Sequence, residues 1–233
     1  KLIIPFLIPF LIFMAIGPQL KWIKSGLEKK LHLVVLFIIS LFISFFIVKN
    51  LKINFLVNTV LIGSAFYLFF ITIRDFFIKK FKNIHQNIAH FGFSLLILSI
   101  LFNNIFSNEL ITNLKVGESF NNDRFEIIFN DLKKFEEKNY TSFKGNFSIK
   151  ENETEDKLEP ELRIYNQPNI ITSEADIKTT FFTDKFITMN SVQNEEYFNI
   201  RYQVKPFMLW IWISVLLISL GGLVSLFKNR YDK

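Results

Sequence analysis

The sequence predicts a helical membrane protein of about five transmembrane spans, with a β-rich domain inserted between the last two. Half of the 233 residues are hydrophobic, and phenylalanine alone occurs 30 times. Such a chain is too apolar for a soluble domain, whose surface must be covered by polar side chains. About a hundred polar residues separate the last two apolar segments. We therefore expect four spans in residues 1–106, a β-rich domain in 107–205, and a final span with a short tail in 206–233.

Five segments approach the ~20 apolar residues that cross a bilayer. They are Leu2–Leu20, Leu33–Val48, Ile53–Ile73, Ile88–Phe106 and Phe207–Phe227. The first contains Pro5, Pro9 and Pro18, and proline removes a helical hydrogen bond and clashes with the preceding turn. We expect this segment to be kinked or partly re-entrant. Because the sequence starts at lysine and enters an apolar run at once, it is interpreted as a fragment or as part of a split protein.

Basic residues predict the orientation of the spans. They cluster after the first, third and fifth spans: Lys21, Lys24, Lys29 and Lys30; Arg74, Lys79, Lys80 and Lys82; and Lys228, Arg230 and Lys233. If the spans alternate, these clusters share one side, and the opposite loop carries only Lys49 and Lys52. The positive-inside rule makes the shared side cytoplasmic. Residues 107–205 then face the periplasm of a bacterium or, alternatively, the intermembrane space of a mitochondrion.

The charge distribution argues against a nucleic-acid-binding protein. Residues 107–205 hold 13 Lys+Arg and 18 Asp+Glu, whereas the remainder holds 14 and 3, which together give the net charge of +6. The excess positive charge thus belongs to the membrane flanks and not to a basic binding face. The domain between the last two spans is mildly acidic.

The polar domain has the alternating pattern of half-buried strands. The clearest segments are 143–150 and 198–204, and further candidates are Phe125–Phe129, Leu162–Tyr165 and Thr180–Met189. The acid-rich run Glu151–Glu159 is predicted to be a solvated loop. Six to eight short strands would form a small antiparallel sandwich or an open barrel.

His90 is the candidate functional residue. It lies just inside the fourth span, in Ile88-Ala89-His90-Phe91-Gly92. Because an ionisable side chain is costly to place within a membrane, its presence there suggests a functional site. Imidazole is also a common axial ligand of haem iron. The alternative is an interfacial residue whose side chain reaches the headgroups. Ala89 and Gly92 favour a functional role, because small residues let a helix or a porphyrin approach closely.

The remaining histidines are weaker candidates. His85 precedes His90 by five residues, about 140° around a helix, so the two cannot ligate one iron from the same face, and His85 is interpreted as interfacial. His32 starts the second span at a similar depth, and a bis-histidine haem between spans two and four is compatible with that position. Gly221-Gly222 is predicted to be a helix-packing contact.

The same residues exclude several kinds of chemistry. All three histidines fall on the cytoplasmic side, so a Ser-His-Asp site in the outer domain is excluded. The absence of cysteine excludes zinc–cysteine sites and covalent thioether attachment of haem to this chain. We assign no catalytic residue.

Several short motifs between residues 80 and 230 occur in an order and at spacings that can be compared with those of known families. The series is Ala89–Gly92, Val116–Phe120 with Phe125 and Phe129, Asn139-Tyr140, Gly145 and Phe147, Glu159–Tyr165, Thr172–Ala175, Pro206–Trp212, and Gly221–Leu223. In order and spacing it resembles the C-terminal third of the CcmF/NrfE family, the membrane haem lyase subunits of cytochrome c maturation. Residues 1–75 fit the preceding spans of that family only by hydropathy. Phe91, Leu162 and Ser173 depart mildly from the family pattern.

The resemblance implies a function and a cofactor. The histidine in the family's Ala-His-Leu-Gly segment is an axial ligand of a b-type haem, so His90 is expected to bind haem b as its iron ligand. The chain is expected to help attach haem covalently to apocytochrome c. The family's second axial histidine, tryptophan-rich loop and two external histidines belong to its earlier part and are absent here. Whether this chain alone counts as an enzyme therefore stays open.

The resemblance also implies partners in the bacterial inner membrane. These are the N-terminal portion or subunit of the same lyase, other cytochrome c maturation membrane proteins, a haem chaperone and apocytochrome c, besides the lipid bilayer. Two alternatives remain. Hydropathy fits a transporter or permease subunit with an outer β domain equally well, and a membrane-anchored sensor is the weakest alternative because little chain follows the last span.

Overall fold

The structure is a computed structural model that describes residues 4–19, 31–49, 51, 54–78, 84–122, 124–151, 154–191 and 196–231. It divides into two compact units. A helical unit comprises residues 1–104 and 210–233, and a β-rich unit comprises residues 105–209. The prediction of a helical membrane region with an inserted β-rich domain is confirmed.

The helices follow the predicted spans closely. They are α1 (Ile4–Ile16), followed by a 3₁₀ turn (Gly17–Gln19), α2 (Leu31–Lys49), α3 (Phe55–Ile78), α4 (Ile84–Phe106) and α5 (Met208–Tyr231). In the described part of the chain, α2 to α5 are long and apolar enough to cross a membrane. Helix α1 has 13 residues and contains Pro9; it is about 20 Å long, too short to cross ~30 Å of hydrocarbon. Residues 20–30, 52 and 79–83, which carry most of the basic residues used to predict the orientation, lie outside the described residues.

Helix α3 is the packing centre for α1 and α2. Its side chains Ile62, Ala65 and Leu68 are fully buried. At Gly63 a Cβ atom would lie 2.7 Å from Leu41 Cδ2 of α2, so the two helices approach closely because this position has no side chain. The outward faces of these helices expose large apolar side chains, as lipid-facing surfaces do.

The β-rich unit consists of two antiparallel sheets. Its strands are β1 (Asn108–Leu114), β2 (Ser119–Asn121), β3 (Glu126–Glu136), β4 (Tyr140–Glu151), β5 (Thr154–Leu158), β6 (Glu161–Tyr165), β7 (Ile170–Glu174), β8 (Asp176–Thr179), β9 (Thr183–Ser191) and β10 (Phe198–Pro206). One sheet has the order β1-β10-β9-β8, and the other has the order β2-β3-β4-β6-β7, with β5 paired to β4. The described residues thus form ten strands, more than the six to eight predicted, because several are only three to five residues long.

Side chains from both sheets share one core, which makes the unit a β-sandwich. The core consists of alternate residues of each strand: Ile127 and Phe129 of β3, Phe147 and Ile149 of β4, Ile187 and Met189 of β9, and Ile200 and Tyr202 of β10. This is the period of two on which the strand predictions rest. The rings of Phe129 and Phe147 stack with centroids 4.3 Å apart.

The acid-rich run 151–159 was predicted to be a loop, and that prediction is wrong. Its residues 154–158 form β5, which pairs with the second half of β4. Asp156 is buried because it meets two lysines of the other sheet: Lys178 Nζ lies 2.6 Å from Asp156 Oδ1, and Lys185 Nζ lies 3.0 Å from Asp156 Oδ2. The charge of this strand is thus neutralised by partners that are distant in sequence.

Gly145 lies against the sandwich core, and we expect Gly145→Ala to destabilise this unit. A Cβ atom there would lie 2.7 Å from the Phe147 ring and 3.0 Å from Met189 Sδ, and overpacking of this kind costs about 1–3 kcal/mol. Urea-dependent proteolysis of the full chain in detergent measures the loss. The neighbouring Asn146→Ala is the control, since its side chain points to the opposite face of β4. An unchanged midpoint in Gly145→Ala would contradict this packing.

Candidate functional site

The candidate site is a cleft between α4 and α5, in the helical unit. The cleft has a volume of about 340 Å³ and is lined by His85, Gln86, Ala89, His90, Gly221, Gly222 and Ser225. This volume lies at the lower end of the range of small-molecule pockets. We call it the α4–α5 cleft.

Glycines bring α4 and α5 together along this cleft. A Cβ atom on Gly221 would lie 2.8 Å from both the Ala89 nitrogen and the His85 carbonyl oxygen. One turn further along α4, a Cβ atom on Gly92 would lie 2.9 Å from Leu217 Cβ. The two backbones are therefore in direct contact at Gly221, as at small-residue helix crossings in membranes.

The adjacent Gly222 has a different role. No atom of the described residues lies within 4 Å of the position that its Cβ would occupy, and the residue lines the cleft. Of the two glycines predicted to form a packing contact, Gly221 therefore packs against α4, whereas Gly222 leaves open space in the cleft.

His90 and His85 both line the α4–α5 cleft. With Gln86 and Ala89 they span an arc of about 140° on α4, so the two imidazoles come from opposite flanks, with Ala89 between them. The Nδ1 atom of His85 is buried and has no hydrogen-bond partner among the described residues.

His32 is not among the cleft residues. It lies on α2, whose described contacts are with α3, including a hydrogen bond from Ser44 Oγ to the Thr59 carbonyl oxygen of 2.7 Å. The Nε2 atom of His32 is buried without a partner among the described residues. The pairing of His32 with His90 stays a prediction.

Two properties of the cleft residues are compatible with a flat ring held by an imidazole. Ala89 and Gly222 offer walls without bulky side chains, and His90 supplies a nitrogen donor suited to haem iron. Gln86 and Ser225 add polar groups at the rim. Sequence reasoning did not identify Gln86, Gly222 or Ser225 as cleft residues, because which faces of α4 and α5 meet is set by packing and not by either helix alone.

Comparison with known proteins gives consistent matches. Residues 105–206 match the family described as the CcmF C-terminal β-sandwich. The cytochrome c-type biogenesis protein CcmF of Pseudomonas fluorescens is 33% identical over 147 residues, which cover 63% of this chain and 22% of that protein. The CcmF of Haemophilus influenzae is 27% identical over 241 residues, which cover 96% of this chain and 37% of that protein.

A solved structure, Cytochrome c Heme Lyase CcmF, has the same fold. It aligns with a TM-score of 0.73 at 18% sequence identity, over 95% of this chain and 39% of that chain. The chain therefore spans less than two fifths of the length of these relatives. The helices of spanning length and the bacterial relatives together indicate a multi-pass protein of a bacterial inner membrane. Residues 105–206 match the C-terminal β-sandwich of the CcmF family, and the matches along the rest of the chain support the interpretation of this chain as the C-terminal part of a CcmF-like cytochrome c-type biogenesis protein.

Proposed function

We propose that this chain contributes a transmembrane haem b site to a cytochrome c haem lyase, with His90 as an axial ligand of the haem iron. The observation that carries the proposal is the position of His90 in the α4–α5 cleft, beside residues small enough for a porphyrin face to approach. The names of its relatives, which include a cytochrome c haem lyase, support the assignment.

The residues of the cleft have separate tasks in this proposal. The neutral imidazole of His90 binds the iron, while Ala89 and Gly222 leave room for the ring. His85 would not hold the same iron, because it shares a helix with His90 and is displaced from it by about 140°. Haem b bound here would transfer single electrons and thereby keep the substrate haem iron reduced while thioether bonds form.

The proposal includes an orientation and partners. The three basic clusters in the sequence favour a cytoplasmic side for the residues after α1 and α3 and after α5, and the β-sandwich would then face the periplasm. There it would meet apocytochrome c and a haem chaperone. The remaining portion of the lyase and other cytochrome c maturation proteins would surround the helices and supply the external haem-binding histidines.

Haem content tests the role of His90. The chain is produced in membranes together with the rest of the lyase, and the complex is purified. We expect His90→Ala to lower the Soret absorbance per protein at least about tenfold, because the iron loses a direct ligand. His85→Ala is the matched control: it truncates an imidazole on the same helix and cleft, and we expect it to retain the b-type spectrum.

Two results would contradict the proposal. A normal b-haem spectrum in His90→Ala would exclude this residue as a ligand. A native complex that contains no haem would favour the transporter or permease alternative.

A further inference from the structure

Two phenylalanines are exposed at the tip of the hairpin that joins β8 and β9. Phe181 is 57% exposed and Phe182 is 56% exposed, and their rings are in edge contact with centroids 4.9 Å apart. Tight turns normally carry glycine, asparagine, aspartate or serine. An aromatic pair at such a tip therefore needs a reason other than turn formation.

The hairpin tip is held in a defined conformation. The Thr180 nitrogen and Thr180 Oγ1 both donate to the Thr183 carbonyl oxygen, at 2.9 and 2.7 Å. The Thr183 nitrogen in turn donates to Thr180 Oγ1 at 3.1 Å. These bonds close the turn from both sides, so the two rings are presented by an ordered loop.

The register of the four-stranded sheet shows which end of the β-sandwich carries this tip. Thr183 at the start of β9 pairs with Pro206 at the end of β10, and Asn108 at the start of β1 pairs with Val204. Helix α5 begins at Met208, and α4 ends at Phe106. The tip is therefore at the end of the sheet where the chain leaves one membrane span and enters the next.

The tip is also hydrogen-bonded to Phe207, the residue between β10 and α5. Phe207 has a φ of 63°, a left-handed conformation that is uncommon and unfavourable for a bulky residue. Its nitrogen donates to the Phe182 carbonyl oxygen at 2.7 Å, and the two rings are in edge contact. The hairpin thus fixes the conformation of the residue that directly follows β10.

We propose that Phe181 and Phe182 insert into the headgroup region of the bilayer and anchor the β-sandwich to the membrane surface. The partner is lipid, because Phe182 contacts Phe207, which directly precedes a helix long enough to span the membrane. Aromatic rings favour the headgroup layer of the membrane, and Trp210 and Trp212 lie within the first five residues of α5. The inference requires that α5 crosses the membrane, but it does not depend on haem.

Single-cysteine labelling tests the insertion, since the native chain has no cysteine. The full chain carrying Phe181→Cys is labelled with an environment-sensitive fluorophore and reconstituted in phosphatidylcholine vesicles, with and without spin-labelled lipid as a quencher. Val116→Cys is the control. Val116 is also exposed, but it follows β1, whose last residue lies about 20 Å along the strand from Asn108.

We expect the lipid quencher to reduce the signal at residue 181 several-fold more than at residue 116. Ile177→Cys, four residues earlier on the same hairpin, should give an intermediate value. Phe182→Cys is a second reporter if Phe181→Cys resists reconstitution.

Two outcomes overturn the proposal. Equal quenching at residues 181 and 116 would show that the tip has no preference for lipid. Protection of residue 181 from both the lipid quencher and aqueous iodide would show that protein covers it. Neither outcome affects the assignment of His90, whose test is spectral.

Discussion

Gly221→Ala is expected to force α4 and α5 apart, whereas Gly222→Ala, one residue later, is expected to leave the packing of the two helices unchanged. The new methyl group at position 221 would lie 2.8 Å from the Ala89 nitrogen and the His85 carbonyl oxygen. Both are backbone atoms of a regular helix, so neither can rotate away and the whole helix must move. At position 222 no described atom lies within 4 Å of the new group. We expect Gly221→Ala to lower stability by about 2 kcal/mol.

The pair is suited to a direct comparison because the two substitutions are chemically identical and adjacent. The midpoint of unfolding of the full chain in detergent, titrated with sodium dodecyl sulfate, measures the stability. Haem retention in the assembled complex is the second readout, since His85 and Ala89 line the α4–α5 cleft. Equal midpoints for the two variants would contradict the close contact at Gly221.

The sequence was sufficient to predict His90 as a candidate but not the cleft around it. A histidine inside an apolar helix is conspicuous at membrane depth, and the nearby Ala89 and Gly92 indicate a close approach. Which helix approaches was not predictable, because α4 and α5 are separated by the whole β-sandwich in the chain. Gly221 and Gly222 are indistinguishable in the sequence, and only the relative rotation of the two helices assigns one to contact and the other to the cleft.

Some strands could likewise be predicted from their own residue pattern, whereas β5 depends on residues elsewhere in the chain. Segments with apolar residues at every second position, such as Phe147 and Ile149, were predicted as strands and are strands. Strand β5 was missed because its charged residues follow the pattern of a solvated loop. Its place in the sandwich depends on Lys178 and Lys185, which lie on β8 and β9 of the other sheet and are more than 20 residues away.

Lys185→Met is expected to destabilise the β-sandwich by about 2 kcal/mol, because it removes one of the two lysines that neutralise the buried Asp156. Lys185 Nζ contacts both Glu151 and Asp156 across the two sheets. The side chains of Lys185 and Asp156 are only 14% and 12% exposed, so water cannot replace the lost interaction. Methionine retains most of the volume and apolar length of lysine, and the change therefore tests the charge.

The pKa directions in this cluster predict how the loss depends on pH. The hydrogen bond from Lys178, together with that from Lys185, holds the pKa of Asp156 below its usual 3.8, although burial opposes this. Burial disfavours the charged form of Lys185, but its hydrogen bonds to Glu151 and Asp156 outweigh that effect and raise its pKa above 10.5. Burial also raises the pKa of the neighbouring Tyr202 to about 12, so this phenol stays neutral.

The sign of the effect follows from proton binding. Below about pH 4 the unfolded chain takes up a proton at Asp156 that the folded state binds more weakly, so this contribution to stability is lost as the pH falls. The contribution of Lys185 is present below pH 10.5 and is lost as the pH rises through its raised pKa. We expect the difference in the free energy of unfolding between the native chain and Lys185→Met to have its full value at pH 7 and to become smaller towards pH 3.

A surface ion pair of similar length provides the control. Lys134 Nζ lies 2.7 Å from Glu136 Oε1, but these side chains are 54% and 75% exposed. Lys134→Met should therefore cost no more than about 0.5 kcal/mol. Urea-dependent proteolysis of the full chain in detergent, at pH 7 and at pH 3, measures both variants. Equal losses for Lys185→Met and Lys134→Met at pH 7 would show that burial of the cluster does not contribute to its strength. A loss for Lys185→Met that stayed constant down to pH 3 would show that the lost interaction with Asp156 is not its cause.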